Sequence, residues 1–379
     1  MITILAYYER ISLYHTMAPF FLKNNLLKKK GGGNCFTITQ SADWCIKNDR
    51  NNILFMERCF QHREPKDLEP EELETLKKLR DHYKTIVFFC GQPEAGTNRL
   101  DILPYVDRLF YKSIFKDRSN YRKNLYGKNL FADFYHRTYG VKDNPEFCSH
   151  GAVSEKDASR PELSWNLGIG TYPRYHWPQR LGTILARANL SGAGRAVGGK
   201  PLSRAEDAGP KPNNFSGPQR NIAVHARIDP VSCPSIAYQR CLYLDRIAGI
   251  KKNHPSKSGL FLTGMVPQSR YYRELKDSKI ALSPFGWGEV CFRDFEAILA
   301  GAMLLKPDMS HLVTFPNVYI PRETYIPIAW DGSDLLEQVE QYLADEKERK
   351  RIATNAWEQY HSELAGISRR FDSLLGEYF

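Results

Sequence analysis

The stretch that decides the fold is residues 279–307, Lys-Ile-Ala-Leu-Ser-Pro-Phe-Gly-Trp-Gly-Glu-Val-Cys-Phe-Arg-Asp-Phe-Glu-Ala-Ile-Leu-Ala-Gly-Ala-Met-Leu-Leu-Lys-Pro. Its spacing predicts a strand, a glycine turn, a helix and a second strand. Ile280 to Leu282 is a short apolar run closed by Ser283-Pro284, where proline biases the preceding residue away from helix. Gly286 and Gly288 permit a tight turn and a close backbone approach. From about Cys291 the period becomes helical. Phe292, Phe295 and Leu299 form one stripe, and Arg293, Glu296 and Ala300 an adjacent one. Gly301 is placed to stop the helix, and Met303 to Leu305 begin another buried strand.

A helix that opens after a glycine turn at the end of a parallel strand aims its unpaired N–H groups at one spot. That spot attracts phosphate through hydrogen bonds and the helix dipole. Ligands of open α/β sheets bind at such strand ends. Arg293 adds a forked donor for an anion. Glu296, one turn on, can accept from a sugar or ribose hydroxyl, or pair with Arg293 in a structural ion pair.

Ser-Pro-x-Gly-x-Gly, then Arg293, then Glu296-Ala297 and Ala300-Gly301-Ala302 before an apolar strand resembles the donor-binding segment of GT-B glycosyltransferases, with the group-1-like and exostosin-like branches nearest. The resemblance runs to about Glu363, through Tyr325–Trp330 and the helix 334–343. It reaches the N-terminal half by architecture alone. It implies two Rossmann-like α/β domains facing each other across a cleft. It also implies that the Glu before Ala holds donor hydroxyls and that the glycine turn faces the diphosphate. Many retaining members carry two Glu eight residues apart. Here the residue eight before Glu296 is Gly288, and the nearest acid is Glu289.

The chain has 379 residues, 42% hydrophobic and 25% charged, enough for two ordinary domains. A net charge of +10 points to an anionic partner: a nucleotide diphosphate, an anionic membrane face, an acidic glycan or nucleic acid. The eight cysteines form no C-x-x-C pair, so neither zinc nor a disulfide framework is expected. No signal peptide or membrane span is read, since Glu9 and Arg10 interrupt the first apolar run. The sequons at Asn189 and Asn214 are taken as chance.

Along the chain, strands are expected at Met1–Tyr8, Phe36–Thr39, Asn52–Met56 and Thr85–Cys90, with helices at His15–Lys30 and Pro70–Tyr83. This alternation argues for a parallel sheet and an N-terminal Rossmann-like acceptor domain over residues 1–190. Residues 105–140 mix aromatics and bases (Tyr105, Phe110, Tyr111, Lys112, Phe115, Tyr121). They read either as an acceptor or membrane surface, as a single-strand platform, or as aromatics packed inward. Residues 191–220 read as a Gly/Pro-rich linker or insertion. Its Gly192-x-Gly194 is not a dinucleotide fingerprint, because it neither follows a strand nor opens a helix.

A strand at Asn221–Ile228 opens the donor domain, residues 221–350. A final helix over 351–379 is expected to cross back to the first domain. His225, Arg227 and Asp229 alternate along the strand or at its end. This His-x-Arg-x-Asp run resembles a fucosyltransferase motif whose Arg contacts the donor diphosphate, so GDP-sugar use is one expectation beside UDP-sugar. The site expected is therefore Arg227, Ser283, Gly286, Gly288, Arg293 and Glu296 for the donor. His225, Glu289 and Asp229 are the candidates for acid–base work. No Asp-x-Asp pair occurs, so a metal-independent mechanism without bound cofactor is expected.

The expected function is transfer of a sugar from a nucleotide sugar to a glycan or lipid-linked acceptor in polysaccharide or glycoconjugate synthesis. The enzyme would work in the cytoplasm, with peripheral contact to an anionic membrane; nucleic acid is not the expected partner. The alternatives are a nucleotide-sugar epimerase on the same fold and a non-catalytic basic protein that binds nucleic acid or glycan.

Overall fold

The computed structural model of the protein describes residues 1–29, 31–60, 68–92, 95–96, 100–143, 153–170, 172, 177–188, 220–230 and 234–379. The stretch 191–219 lies outside them, as do both sequons.

The first half alternates β1 (Ile2–Ala6), α1 (Ala18–Lys29), β2 (Phe36–Thr39), α2 (Ala42–Asn48), β3 (Ile53–Glu57), α3 (Pro70–His82), β4 (Thr85–Phe89) and β5 (Arg108–Tyr111). There follow β6 (Ser113–Phe115), α4 (Leu130–Tyr139), α5 (Glu155–Ser159), β7 (Pro161–Leu163) and α6 (Trp177–Ala188). The second half comprises β8 (Ile222–His225), α7 (Pro234–Asn253), β9 (Phe261–Leu262), α8 (Gln268–Lys276), β10 (Ser278–Leu282), α9 (Phe292–Ala300) and β11 (Met303–Pro307). It ends with β12 (Leu312–Thr314), β13 (Ile326–Ile328), α10 (Leu335–Ala344), α11 (Glu346–Ala365) and α12 (Ile367–Leu375).

Two all-parallel sheets result. The first has the order β2-β1-β3-β4-β5-β7, and the second β13-β11-β10-β8-β9. Helices cover such sheets on both faces, which is why their strands read as near-continuous apolar runs. Every residue of β1 and β11 is buried. In each sheet the first strand has its second strand on one side and its third on the other. The chain reverses direction there, and a crevice opens at the carboxyl ends. In the first sheet the crevice lies between β1 and β3, in the second between β8 and β10.

The two crevices are brought together by segments that leave the strand ends. A two-stranded antiparallel ribbon joins β6 of the first half to β12 of the second. The Lys116 N–H donates to the His311 carbonyl, and the Asn166 N–H to that of Phe315. α12 packs Ile367, Phe371 and Leu375 into the core of the first sheet, beside Ile2, Ile4 and Phe20. Among the described residues no helix is long and apolar enough to cross a membrane.

The aromatics of residues 105–140 mostly point inward. Phe110, Tyr111, Phe115 and Tyr121 are fully buried, and Lys112 donates to the Gly91 carbonyl beneath the surface. Of the three readings of this stretch, the packed one describes it. The strand expected over Asn221–Ile228 ends early, at His225, because the Ile228 N–H turns back to the Ala226 carbonyl.

Candidate active site

The site forms at the crevice between β8 and β10. β10 delivers Ser283 and Pro284, and nine residues later α9 begins at Phe292. Gly301 ends that helix in the left-handed region at φ 69°, as a C-terminal glycine does. The loop between them makes its tight turn through a Gly286 N–H bond to the Gly288 carbonyl. Neither glycine has a positive φ. Gly286 is needed for space instead, since a Cβ there would sit 3.1 Å from Cys291 Sγ and 3.2 Å from Arg240 Nη2.

Asp294, in the first turn of α9, fixes this loop. It accepts from Ser283 Oγ at 2.5 Å, Tyr319 Oη at 2.6 Å and the Cys291 N–H at 2.9 Å. Lys306 on β11 neutralises it. Ser283 is thus fully buried and bonded within the protein.

Arg293 projects from the same turn. Its Nε donates to Ser283 Oγ at 3.2 Å and its Nη2 to the Pro284 carbonyl at 3.0 Å. Both partners are neutral oxygens, and among the described residues no carboxylate pairs with it. The expected alternative, an Arg293–Glu296 pair, does not form. Glu296 accepts instead from Tyr271 Oη at 3.0 Å and Tyr272 Oη at 2.7 Å, two adjacent residues of α8 that orient its carboxylate. It is 4% exposed.

His225 ends β8 facing this group. It is fully buried, and among the described residues neither ring nitrogen has a hydrogen-bond partner. Its ring stands edge-on to Tyr271, with centroids 4.9 Å apart. Burial lowers its pKa to about 4, helped by the Arg227 and Arg293 charges and opposed by Glu274. The ring is therefore neutral at pH 7.

Arg227 lies just past the strand and makes a bidentate pair with Glu274 of α8, both contacts at 2.9 Å. Its remaining fork reaches the carbonyls of Thr263 and Gly264. Asp229 is half-buried, and its carbonyl accepts from Arg240 Nη1 at 2.8 Å. Arg240 also donates to the Phe285 carbonyl at 2.9 Å, so this α7 residue ties together the loops leaving β8 and β10.

Glu289 sits apart from the group. It is fully buried at the seam between the halves, accepting from the Ala95 N–H at 3.3 Å with Oε1 3.7 Å from His311 Nε2.

His225, Arg227, Arg293 and Glu296 are thus brought together, while Ser283 and Gly286 shape their floor. Tyr271, Tyr272 and Arg240 belong to the same arrangement and carried no sequence signal of their own. Asp294 belongs to it too, and its signal was that of an acid in the first helical turn. Among the described residues no group of three or more His, Cys, Asp or Glu side chains is placed to hold a metal.

Residues 245–375 match the family model described as glycosyl transferase-like. Among solved structures, an alpha-glucosyltransferase in complex with UDP is similar over 100% of this chain and 99% of its own, at 10% identity and TM-score 0.50. HepE of Anabaena in complex with UDP-glucose matches over 100% of both chains, at 9% identity and TM-score 0.48. No curated protein matches in sequence. The matched segment contains β10, α9 and β11. The family match agrees with the expected enzyme class, and the likeness over the whole chain bears out the expected GT-B architecture.

Proposed function

We propose that the protein transfers a sugar from a nucleotide-diphosphate sugar to a glycan or lipid-linked acceptor, with the donor seated at the β8–β10 crevice. The observation that carries this reading is the contrast between Arg293 and Glu296. Arg293, at the N-terminal end of α9, meets no carboxylate among the described residues, whereas the nearby Glu296 accepts from two tyrosines. A diphosphate can pair with Arg293 and meet the helix dipole; ribose or sugar hydroxyls can donate to the Glu296 carboxylate. The turn at Gly286 and Gly288 lets the diphosphate approach the backbone.

His225 serves as a neutral hydrogen-bonding group to the donor, because a base with a pKa of about 4 takes protons poorly at neutral pH. Arg227 adds charge from behind its pair with Glu274. Asp229 lines the end of β8, and Glu289 ties the donor loop to the first half. Charge on the leaving diphosphate is offset by Arg293 and the helix N-terminus, with no call on a bound metal.

UDP is the preferred donor base, since the similar alpha-glucosyltransferase is held with UDP; a GDP-sugar is the second choice. Peripheral membrane contact, which a lipid-linked acceptor requires, falls to α6. There Trp177, Leu181 and Ile184 form a stripe 67%, 41% and 61% exposed, with exposed Arg180 beside it. On this reading the enzyme works on the cytoplasmic side of a membrane, in glycoconjugate synthesis. Nucleotide release from UDP-glucose, UDP-N-acetylglucosamine and GDP-fucose tests the reading; neither release nor binding of any of the three would sink it.

A further inference from the structure

Across from the donor crevice, the crevice of the first sheet holds a carboxylate that nothing above uses. Glu57 is the last residue of β3, beside Ala6 of β1 and Phe89 of β4. It is 1% exposed, and among the described residues neither carboxylate oxygen has a partner at full hydrogen-bond geometry. A buried carboxylate in that condition costs several kcal/mol unless it is protonated or a ligand completes it. The hydroxyls of Ser12 and Thr16 face it and favour its charged form. Four buried polar oxygens of three residues thus converge on one spot.

The backbone around this spot is irregular in the way functional sites are. Arg58 and Phe60, both with side chains, adopt left-handed φ values of 57° and 55°. Ser12 to Thr16 form a π-helical turn, a rare geometry concentrated at such sites. That turn carries His15, whose ring packs edge-on against Phe292, the first residue of α9, with centroids 5.0 Å apart. Glu57 therefore lies on one side of the turn and the donor helix on another.

We infer that Glu57 is the catalytic base that takes the proton from the acceptor hydroxyl; this rests on the donor-site reading above. The acceptor oxygen bonds to the anomeric carbon as its proton passes to a Glu57 oxygen. The bond from that carbon to the β-phosphate oxygen breaks, and its electron pair leaves on the nucleoside diphosphate. A single displacement of this kind inverts the anomeric configuration. With water as acceptor, the products are free sugar and nucleoside diphosphate, and Glu57 afterwards releases its proton to solvent. Burial raises the Glu57 pKa, and the charges of Arg58 and Lys112 with the Ser12 and Thr16 hydroxyls oppose the rise. Arg58 is itself paired with Glu9, and Cys59 lies alongside. A base tuned upward from an ordinary carboxylate suits proton transfer nearer neutral pH.

The experiment measures UDP release from UDP-glucose in water, the anomer first formed, and the melting shift caused by UDP, for wild type, Glu57→Gln and Glu57→Asp. The inference expects inverted product and a loss of about 100-fold or more in kcat for Glu57→Gln. It also expects an unchanged UDP shift, partial activity in Glu57→Asp, and a wild-type acid limb missing from the residual rate of Glu57→Gln. A neutral structural acid would be replaced by Gln without loss, so activity within threefold of wild type overturns the inference. Should Glu57→Gln not fold, the wild-type product decides: retention of configuration overturns it and inversion supports it. A wild type that neither binds UDP nor releases it overturns the donor-site reading, and this one with it.

Discussion

Asp294 and Lys306 form an ion pair wholly removed from solvent, 3.1 Å apart, linking the first turn of α9 to β11. The Lys306 ammonium also faces the rings of Phe285 and Tyr319, at 5.4 Å and 5.9 Å. Breaking such a pair strands a charge in the interior. Lys306→Met is expected to destabilise the protein by about 3–5 kcal/mol. The double variant Asp294→Asn/Lys306→Met should lose less than the sum of the two single changes. Urea unfolding of the four proteins checks this, and additive losses would show the pair to be uncoupled.

Arg293→Ala should weaken UDP binding by about 10- to 100-fold, the worth of a charge-assisted hydrogen bond of about 1.5–3 kcal/mol. Arg293→Lys should recover only part, because a point charge does not reproduce a fork. Calorimetric titration with UDP is the check. Folding should be little disturbed, since among the described residues Arg293 bonds only neutral oxygens.

His225 gives the protein an acid-sensitive stability. Its folded-state pKa is about 4 against an ordinary 6.5, through burial first and then the Arg227 and Arg293 charges, with Glu274 opposing. The unfolded chain therefore binds a proton that the folded one refuses. Stability present above pH 6.5 should be lost as the pH falls toward 4. His225→Phe should lack this loss. Melting temperatures from pH 4 to 8 compare the two, and parallel profiles would refute the assignment.

The donor segment was legible because it is local. The switch from a two-residue to a helical period, Ser283-Pro284 at one end and Gly301 at the other mark β10, α9 and β11 within a residue or two. The strand at His225 was legible as well, though not its end. The turn at Ala226–Ile228 comes with the pair between Arg227 and Glu274, and no local pattern encodes a partner 47 residues away. Tyr271 and Tyr272 were invisible as supports of Glu296 for the same reason. Residues 105–140 misled in composition, since aromatics beside bases look alike whether they face solvent or the core. Only the pairing of β5 and β6 with their neighbours settles that Phe110 and Phe115 are buried. Glu57 gave no signal, because a glutamate closing a strand is ordinary until its neighbours are known.

The most direct test is the melting temperature of wild type and Glu296→Ala with UDP, GDP, CMP and ADP and with the sugar forms of each. Ligand that binds the native state alone raises the melting temperature by mass action. The account predicts that one nucleotide, UDP by preference, stabilises wild type, that its sugar form does so too, and that Glu296→Ala loses the response to the sugar form. A wild type indifferent to every nucleotide, or a Glu296→Ala variant that responds as wild type does, would contradict the placement of the donor between β8 and β10.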